Sequence, residues 1–493
     1  MSRNVAQPLS ERGKKFLVDV NWSLLSLLML TATAVVLRIL LARWLEPAGF
    51  GVLNMMINLQ GVSAIVAGFG IPMALTRYVA RGERPGEESV PPSCALAGAA
   101  LLGAVAGLSL QLLAEPIARL YRMPQLSGLI ALLGWGLPFS CFTETLLGLF
   151  NGLRNMRSYA CLVFVRSASM VLFSWTLVIA GYGVEGAVWG MVLSAGAGAL
   201  YGGIAARRHL AGGLSRFFPA IRRLCRFGSR IFGSNAVSEL VNRADVLLVG
   251  YFLSASQVGV YSSAASISAL LLIIPSAIQK VSYPASSAYW AGNDQESLQS
   301  MVDKVMKYSA CVLFPVGLGT LFFGREIIAL VFGRAYLDGY LPLCILLVPR
   351  VLGGSTLVPV GSLFSGIGRP EVSLKIDSSI CVLNLLLNVL LIPRFGIAGA
   401  AAALALAQLC GYGAALALLA RIVRIRIDWK WFGMAAGGAC AAIVFFLLAR
   451  GHLGPHLLCL TLLSGYLIFV FSVLLSREDK RILGSVAHSI ISR

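Results

Sequence analysis

Apolar residues run along this chain in unbroken stretches of about twenty, separated by short polar interruptions. Fourteen such runs can be marked, at 20–43, 50–72, 92–114, 127–150, 158–181, 184–205, 229–252, 258–280, 304–323, 341–366, 372–393, 397–420, 430–449 and 456–475. About 20 helical residues, rising roughly 1.5 Å each, cross the hydrocarbon core of a bilayer. A membrane β-strand would instead alternate over about ten residues. The pattern predicts an all-α polytopic membrane protein with about 14 transmembrane helices.

Four short signatures occur twice, in the same order. Leu45 and Gly51-Val52 recur as Leu253 and Gly259-Val260, an offset of 208. Glu115-Pro116-Ile117-Ala118 recurs as Glu326-Ile327-Ile328-Ala329, offset 211. Leu149-Phe150-Asn151-Gly152 recurs as Leu363-Phe364-Ser365-Gly366, offset 214, and Gly183-Val184-Glu185-Gly186-Ala187 as Gly396-Ile397-Ala398-Gly399-Ala400, offset 213. One match is weak; four collinear ones indicate a duplicated unit of six helices, the architecture of a transporter. An even helix number brings both copies in from the same side, with the cavity expected between them. The expected organisation is a first six-helix repeat over 1–206, a basic cytoplasmic linker over 207–228, and a second repeat over 229–421. Two extra helices and a cytoplasmic tail then occupy 422–493.

Composition agrees with this class. The chain is 58% hydrophobic and 12% charged, where a soluble protein carries about 25% charged residues. Its longest loops, near 206–228 and 283–303, are too short to be domains. That counts against a membrane polymerase or ligase with catalytic acids on a large outer loop, and no ATP-binding P-loop is present. Thr31-Ala32-Thr33-Ala34 resembles a cleavage site, but the apolar helix continues through it, so the first helix is expected to be retained.

The net charge of +19 reads as topology. With the N-terminus inside, seven basic residues fall outside and four within runs, leaving 29 of the 40 on the cytoplasmic side. Both termini are then cytoplasmic, and nucleic acid is not needed to explain the arginines. The ten cysteines form no CxxC pair and His452 and His456 are separated by Gly454-Pro455, so neither a metal nor a cofactor is expected.

A charge at the bilayer centre costs about 2.5–3.5 kcal/mol, which makes each one a candidate. Arg166, Arg243 and Arg350 are the deepest, and Arg38 either snorkels to the outer interface or faces a cavity. In the seventh run Asn235, Ser238, Glu239 and Asn242 share a helical face. Arg243 follows Glu239 by four residues, a spacing that also permits an ion pair. In the eleventh run Asp377, Cys381, Asn384 and Asn388 share a stripe, where helix packing competes with a cavity role. Arg350 lies between Pro349 and Gly353-Gly354, so its helix is expected to kink beside the substrate path. Glu144 is read as reaching the cytoplasmic interface, and Asp245 as belonging to the outer mouth. The buried inventory leans positive, and guanidinium groups suit an anion such as a pyrophosphate on a long lipid tail.

Arg43-Trp44-Leu45-Glu46-Pro47-Ala48-Gly49-Phe50-Gly51 resembles the opening signature of prokaryotic polysaccharide transporters. Asp245-Val246-Leu247-Leu248-Val249-Gly250-Tyr251-Phe252-Leu253, continuing through Val258-Gly259-Val260-Tyr261, resembles its second-half counterpart, and Gly366-Ile367-Gly368-Arg369 also resembles the family. These are the oligosaccharide flippases of the multidrug/oligosaccharidyl-lipid/polysaccharide exporter superfamily, and the resemblance covers essentially the whole chain. It implies a non-enzymatic flippase in a prokaryotic cell membrane. Such a protein moves polyprenyl-diphosphate-linked oligosaccharide to the outer leaflet by alternating access, for surface polysaccharide biosynthesis. Membrane lipids and polysaccharide assembly proteins are the further partners expected. Arg166, Arg243, Arg350 and Arg38 would engage the diphosphate or anionic sugar, Asn235, Asn242, Asn384 and Asn388 the glycan, and Glu239 or Asp377 a coupling cation. The closest rival, a cation-coupled multidrug exporter of the same superfamily, would want a carboxylate-dominated cavity.

Overall fold

The computed structural model describes residues 11–81, 90–210, 217–358, 363–449 and 455–475. Every long element among them is a helix. In the first half these are α1 (Glu11–Gly68), α2 (Ile71–Ala80), α3 (Pro92–Leu112), α4 (Ala114–Leu120), α5 (Leu126–Gly152), α6 (Met156–Leu177), α7 (Gly183–Ala206) and α8 (Phe217–Phe252). There follow α9 (Ala255–Leu270), α10 (Ile273–Ala291), α11 (Gln295–Phe322), α12 (Gly324–Val331), α13 (Tyr340–Thr356), α14 (Leu363–Gly366), α15 (Pro370–Ile422), α16 (Trp429–Ala449) and α17 (Pro455–Phe469). Among the described residues, nine helices are long and apolar enough to cross a membrane, or ten if the bent pair α9 and α10 is one span. Three of the nine (α1, the continuous α6–α7 and α15) each hold two of the runs read from the sequence.

The breaks inside those three have local causes. In α1 the backbone leaves the helix at Glu46 (φ 55°, ψ 174°), directly before Pro47. Proline removes a helix donor and pushes the preceding residue out of the helical region. Gly183 (φ 52°, ψ −134°) ends the break between α6 and α7, and Gly396 (φ 59°, ψ −138°) divides α15. The two glycines hold one backbone conformation that a Cβ would obstruct. They are also the first residues of the two copies of the repeated pentapeptide.

A second repeated signature is likewise a shape. Leu153, Arg154 and Asn155 donate their N–H groups to the carbonyls of Leu149, Asn151 and Phe150. Ile367, Gly368 and Arg369 do the same to Leu363, Ser365 and Phe364. Each bond has its partner at the offset of 214, and Arg154 (φ 54°) and Gly368 (φ 82°) are both left-handed, as helix C-terminal caps require.

The chain forms two compact units, Met1–Gly259 and Val260–Arg493. Their boundary follows α8 rather than preceding it, because α8 packs against α1, α2 and α3. Part of the expected 207–228 loop is in fact the first turns of α8, Cys225 included. Ala220 and Leu224, four residues apart, are buried in a core shared with Ile71, Leu75, Cys94, Leu146 and Phe150. That apolar stripe is what extends the helix beyond the run at 229–252.

Within the first unit, the duplicated glycines Gly51 and Gly259 pack reciprocally. A Cβ on Gly51 would lie 1.8 Å from the carbonyl oxygen of Ala255, and one on Gly259 would lie 2.0 Å from that of Pro47. Pro47 and Ala255 are themselves separated by 208, so each glycine receives the carbonyl equivalent to the one its counterpart receives. Small residues at such crossings let membrane helices approach closely, where apolar burial alone gives no drive.

In the second unit α16 and α17 pack on α11 through Phe314, Phe322, Trp431, Cys459 and Tyr466. The Trp431 indole N–H donates to the Leu474 carbonyl at 2.9 Å and the Tyr466 hydroxyl to that of Ala435 at 2.9 Å. The segment leading into α16 is held much as a strand would be. The Gln299 amide donates to the Arg426 carbonyl (2.7 Å) and accepts from the Arg426 N–H (2.9 Å). Large apolar side chains such as Leu112, Leu200, Leu330 and Leu448 are exposed, as lipid-facing positions are.

Candidate functional site

The first unit encloses a cavity of about 640 Å³ between α1, α2, α5, α6, α7 and α8. Its polar wall consists of Gln60, Ser140, Glu144, Arg166, Glu239 and Arg243, and Ile57, Met73, Met170, Met191 and Phe232 supply apolar surface. Two guanidinium groups therefore meet in one chamber, contributed by helices read separately in the sequence.

Each is paired. Arg166 on α6 donates to the Glu144 carboxylate on α5 at 2.5 Å, and Arg243 donates through Nε to Glu239, one turn earlier on α8, at 2.8 Å. Arg243 also reaches the Ile57 carbonyl on α1 at 3.4 Å. It lies flat across Gly61, where a Cβ would stand 2.1 Å from its Cζ. Gln60 donates to the Ser140 hydroxyl at 3.5 Å. Arg38, half-buried on α1, is near enough to Arg243 for their charges to interact.

The place of Glu144 near the end of an apolar run indicates the cytoplasmic interface; what the sequence does not show is its partner, Arg166, which it meets on the cavity wall. Twenty-two residues separate the pair on different helices, so no helical periodicity links them. Gln60 and Ser140 went unremarked for a similar reason, since one uncharged polar residue in an apolar run is common. Gly61 carried no signal, because its requirement comes from a side chain on another helix.

The remaining candidates lie elsewhere. The Asn235, Ser238 and Asn242 side chains fall outside the described residues. Asp245 is buried, 5% exposed. In the second unit, the Tyr412 hydroxyl on α15 lies within electrostatic reach of Arg350 on α13 and Asp377 on α15. The Tyr412 ring covers Gly353, where a Cβ would meet it at 2.0 Å. Helix α13 runs through Pro349 and ends at Thr356. Asn384 and Asn388 are 1% and 0% exposed, and the Asn388 amide donates to both the Asn384 carbonyl and its side-chain oxygen at 3.0 Å. The two arms of α15 approach at Gly399 against Leu391 and at Gly411 against Ile380. Among the described residues, no three His, Cys, Asp or Glu side chains are grouped to hold a metal ion.

The helical fold is one that known membrane transporters share. The lipid II flippase MurJ, solved in an inward closed conformation, superposes with a TM-score of 0.71 over 92% of this chain and 99% of that one, at 12% identity. An inward-facing multidrug resistance transporter of the MATE family, in the MOP superfamily, gives 0.66 over 80% and 94%, at 16% identity. In sequence, a probable low-salt glycan biosynthesis flippase of Haloferax volcanii is 27% identical over 378 residues, 74% of this chain and 75% of that one. The family model described as polysaccharide biosynthesis protein matches residues 40–340. With more than half its length matched, this multi-pass membrane protein belongs to the polysaccharide biosynthesis protein family of transporters.

Proposed function

We propose that this protein is a flippase that moves polyprenyl-diphosphate-linked oligosaccharide from the cytoplasmic to the outer leaflet of a prokaryotic cell membrane by alternating access. The observation that carries the reading is the convergence of Arg166 and Arg243 on one cavity, with the Arg38 charge within electrostatic reach of Arg243. Planar guanidinium donors match the oxygens of a diphosphate, and apolar wall residues accommodate the start of a lipid tail. Lipids complete the surroundings, both termini face the cytoplasm, and the glycan trails from the head group. Family membership and a relative named as a glycan biosynthesis flippase support the same reading. Arg350 and Asp377, each within electrostatic reach of Tyr412, are assigned to neighbouring anionic sugar and to coupling.

The test is leaflet location of a labelled polyprenyl-diphosphate oligosaccharide in proteoliposomes. Protein-dependent flipping should be lost in Arg166→Ala and Arg243→Ala, with folding intact. Flipping that survives both substitutions removes the cavity from the mechanism. Efflux of cationic dyes without any flipping would favour the multidrug-exporter reading, which the two carboxylates in the cavity keep in contention.

A further inference from the structure

Among the described residues that line it, the cavity of the first unit is formally neutral, since Glu144 offsets Arg166 and Glu239 offsets Arg243. An arriving anion therefore meets guanidinium groups that already hold anions. It cannot gain a bidentate contact until a carboxylate has moved away. We propose that Glu144 and Glu239 are tethered stand-ins for the ligand's phosphates. The diphosphate displaces each from its arginine, and each displaced carboxylate takes up one proton, so that binding and protonation are a single exchange.

This inference rests on the proposed substrate class and adds to it a mechanism of binding and release. A carboxylate stripped of its arginine and left beside a diphosphate is repelled by like charge, in a chamber whose wall is partly apolar. Protonation removes that repulsion. The exchange balances: a carboxylate and a proton from water give a carboxylic acid, and the reverse step accompanies release. Among the described residues, the other titratable groups facing these pairs are Cys141 on α5, Tyr159 on α6 and Arg38 on α1. A thiol and a phenol are ordinarily neutral near pH 7 and an arginine remains a cation, which leaves the glutamates to change charge.

The two pairs are not equivalent. Arg243 retains the Ile57 carbonyl and the flat seat on Gly61 when Glu239 leaves, so its guanidinium stays presented to the ligand. Glu144 and Arg166 join α5 to α6, so their separation unties two helices. Rejoining either pair expels the ligand, and it is this competition that lets a strongly charged head group be released.

The experiment is calorimetric titration of the purified full-length protein with farnesyl diphosphate, in buffers of different ionisation enthalpy, between pH 6 and pH 8. Net uptake of one to two protons is expected, with affinity falling about tenfold per pH unit for each proton taken up. Glu144→Gln and Glu239→Gln should each reduce the uptake by one and bind more tightly than wild type at pH 8. Binding without proton uptake, lost in Arg166→Ala and Arg243→Ala but unchanged in both glutamine variants, would overturn the exchange and leave the diphosphate site standing. Wild-type protein that does not bind would overturn the exchange and the proposed substrate class together. The terminal phosphate of farnesyl diphosphate itself titrates near about pH 6. The count is therefore read at pH 8, where the ligand enters fully ionised, and should a glutamine variant fail to fold, the wild-type count at that pH decides.

Discussion

At the scale of single residues, Gly61 determines where the Arg243 guanidinium can lie. A methyl group there would overlap the end of a flexible side chain rather than backbone, so the protein should fold and the guanidinium should shift. Loss of one charge-assisted hydrogen bond is worth about 1.5–3 kcal/mol, or roughly ten- to a hundredfold in affinity. Gly61→Ala should therefore weaken farnesyl diphosphate binding by that factor while leaving the melting temperature nearly unchanged. Asp428 offers a contrast, as a residue whose role is stability. Its carboxylate accepts from Lys307 at 3.0 Å and from the Trp431 N–H at 3.1 Å, capping α16. Those bonds, the Lys307 one foremost, hold the carboxyl below its ordinary value. The stabilisation is thus whole above about pH 4 and is lost as pH falls through the native value. Asp428→Ala should cost about 1 kcal/mol near neutrality, and its melting curve should converge on the wild-type curve as the pH falls through the native value of the carboxyl. Charges within apolar runs, such as Arg166 and Arg243, were legible in the sequence because an ionised group there demands a reason. Glu144 and Gly61 were not, because what each one meets comes from a distant part of the chain.

At the scale of elements, the duplicated signatures mark where helices must stop or touch. Glu46-Pro47 and the Gly183 and Gly396 positions end helices by backbone chemistry that any reader of the sequence can apply. The reciprocal contact of Gly51 and Gly259 was legible only as a coincidence of offsets, since packing of one copy's glycine on the other's carbonyl requires three dimensions. It makes a quantitative prediction. Because each added methyl would press on backbone, Gly51→Ala and Gly259→Ala should each destabilise the protein by about 1–3 kcal/mol. Both are relieved by the same movement, the parting of two helices at one crossing. The double variant should therefore cost clearly less than the sum of the singles, as residues sharing one contact do. Thermal unfolding of the three variants in detergent measures this, and strict additivity would mean that the glycines do not share a crossing. The extension of α8 through Arg222 and Arg226 shows the opposite limit of sequence reading. Ala220 and Leu224 form only a narrow apolar stripe there, and the surrounding arginines conceal it from a search for apolar runs.

At the scale of the whole molecule, the proposed exchange at the two glutamates would decide which gradient drives transport. A diphosphate carrying two negative charges outward, with nothing else moving, gains about 2.3 kcal/mol per charge for each 100 mV of inside-negative potential. At equilibrium that is about three orders of magnitude in outer over inner concentration per 100 mV. If Glu144 and Glu239 each carry a proton outward with the ligand and return ionised on their arginines, the cycle moves no net charge. The leaflet distribution would then ignore voltage and follow the pH difference, by about a hundredfold per unit for two protons. Proteoliposomes with a potassium gradient clamped by valinomycin separate the two cases. The outer-to-inner ratio of labelled lipid-linked oligosaccharide should stay constant as voltage is varied at equal pH. It should rise when the compartment that supplies the substrate is made more acidic. In Glu239→Gln one proton drops out of the cycle, one negative charge moves uncompensated, and voltage sensitivity of about 2.3 kcal/mol per 100 mV should emerge. A wild-type ratio that climbs steeply with voltage would show instead that the carboxylates remain ionised throughout and that the diphosphate crosses with its full charge.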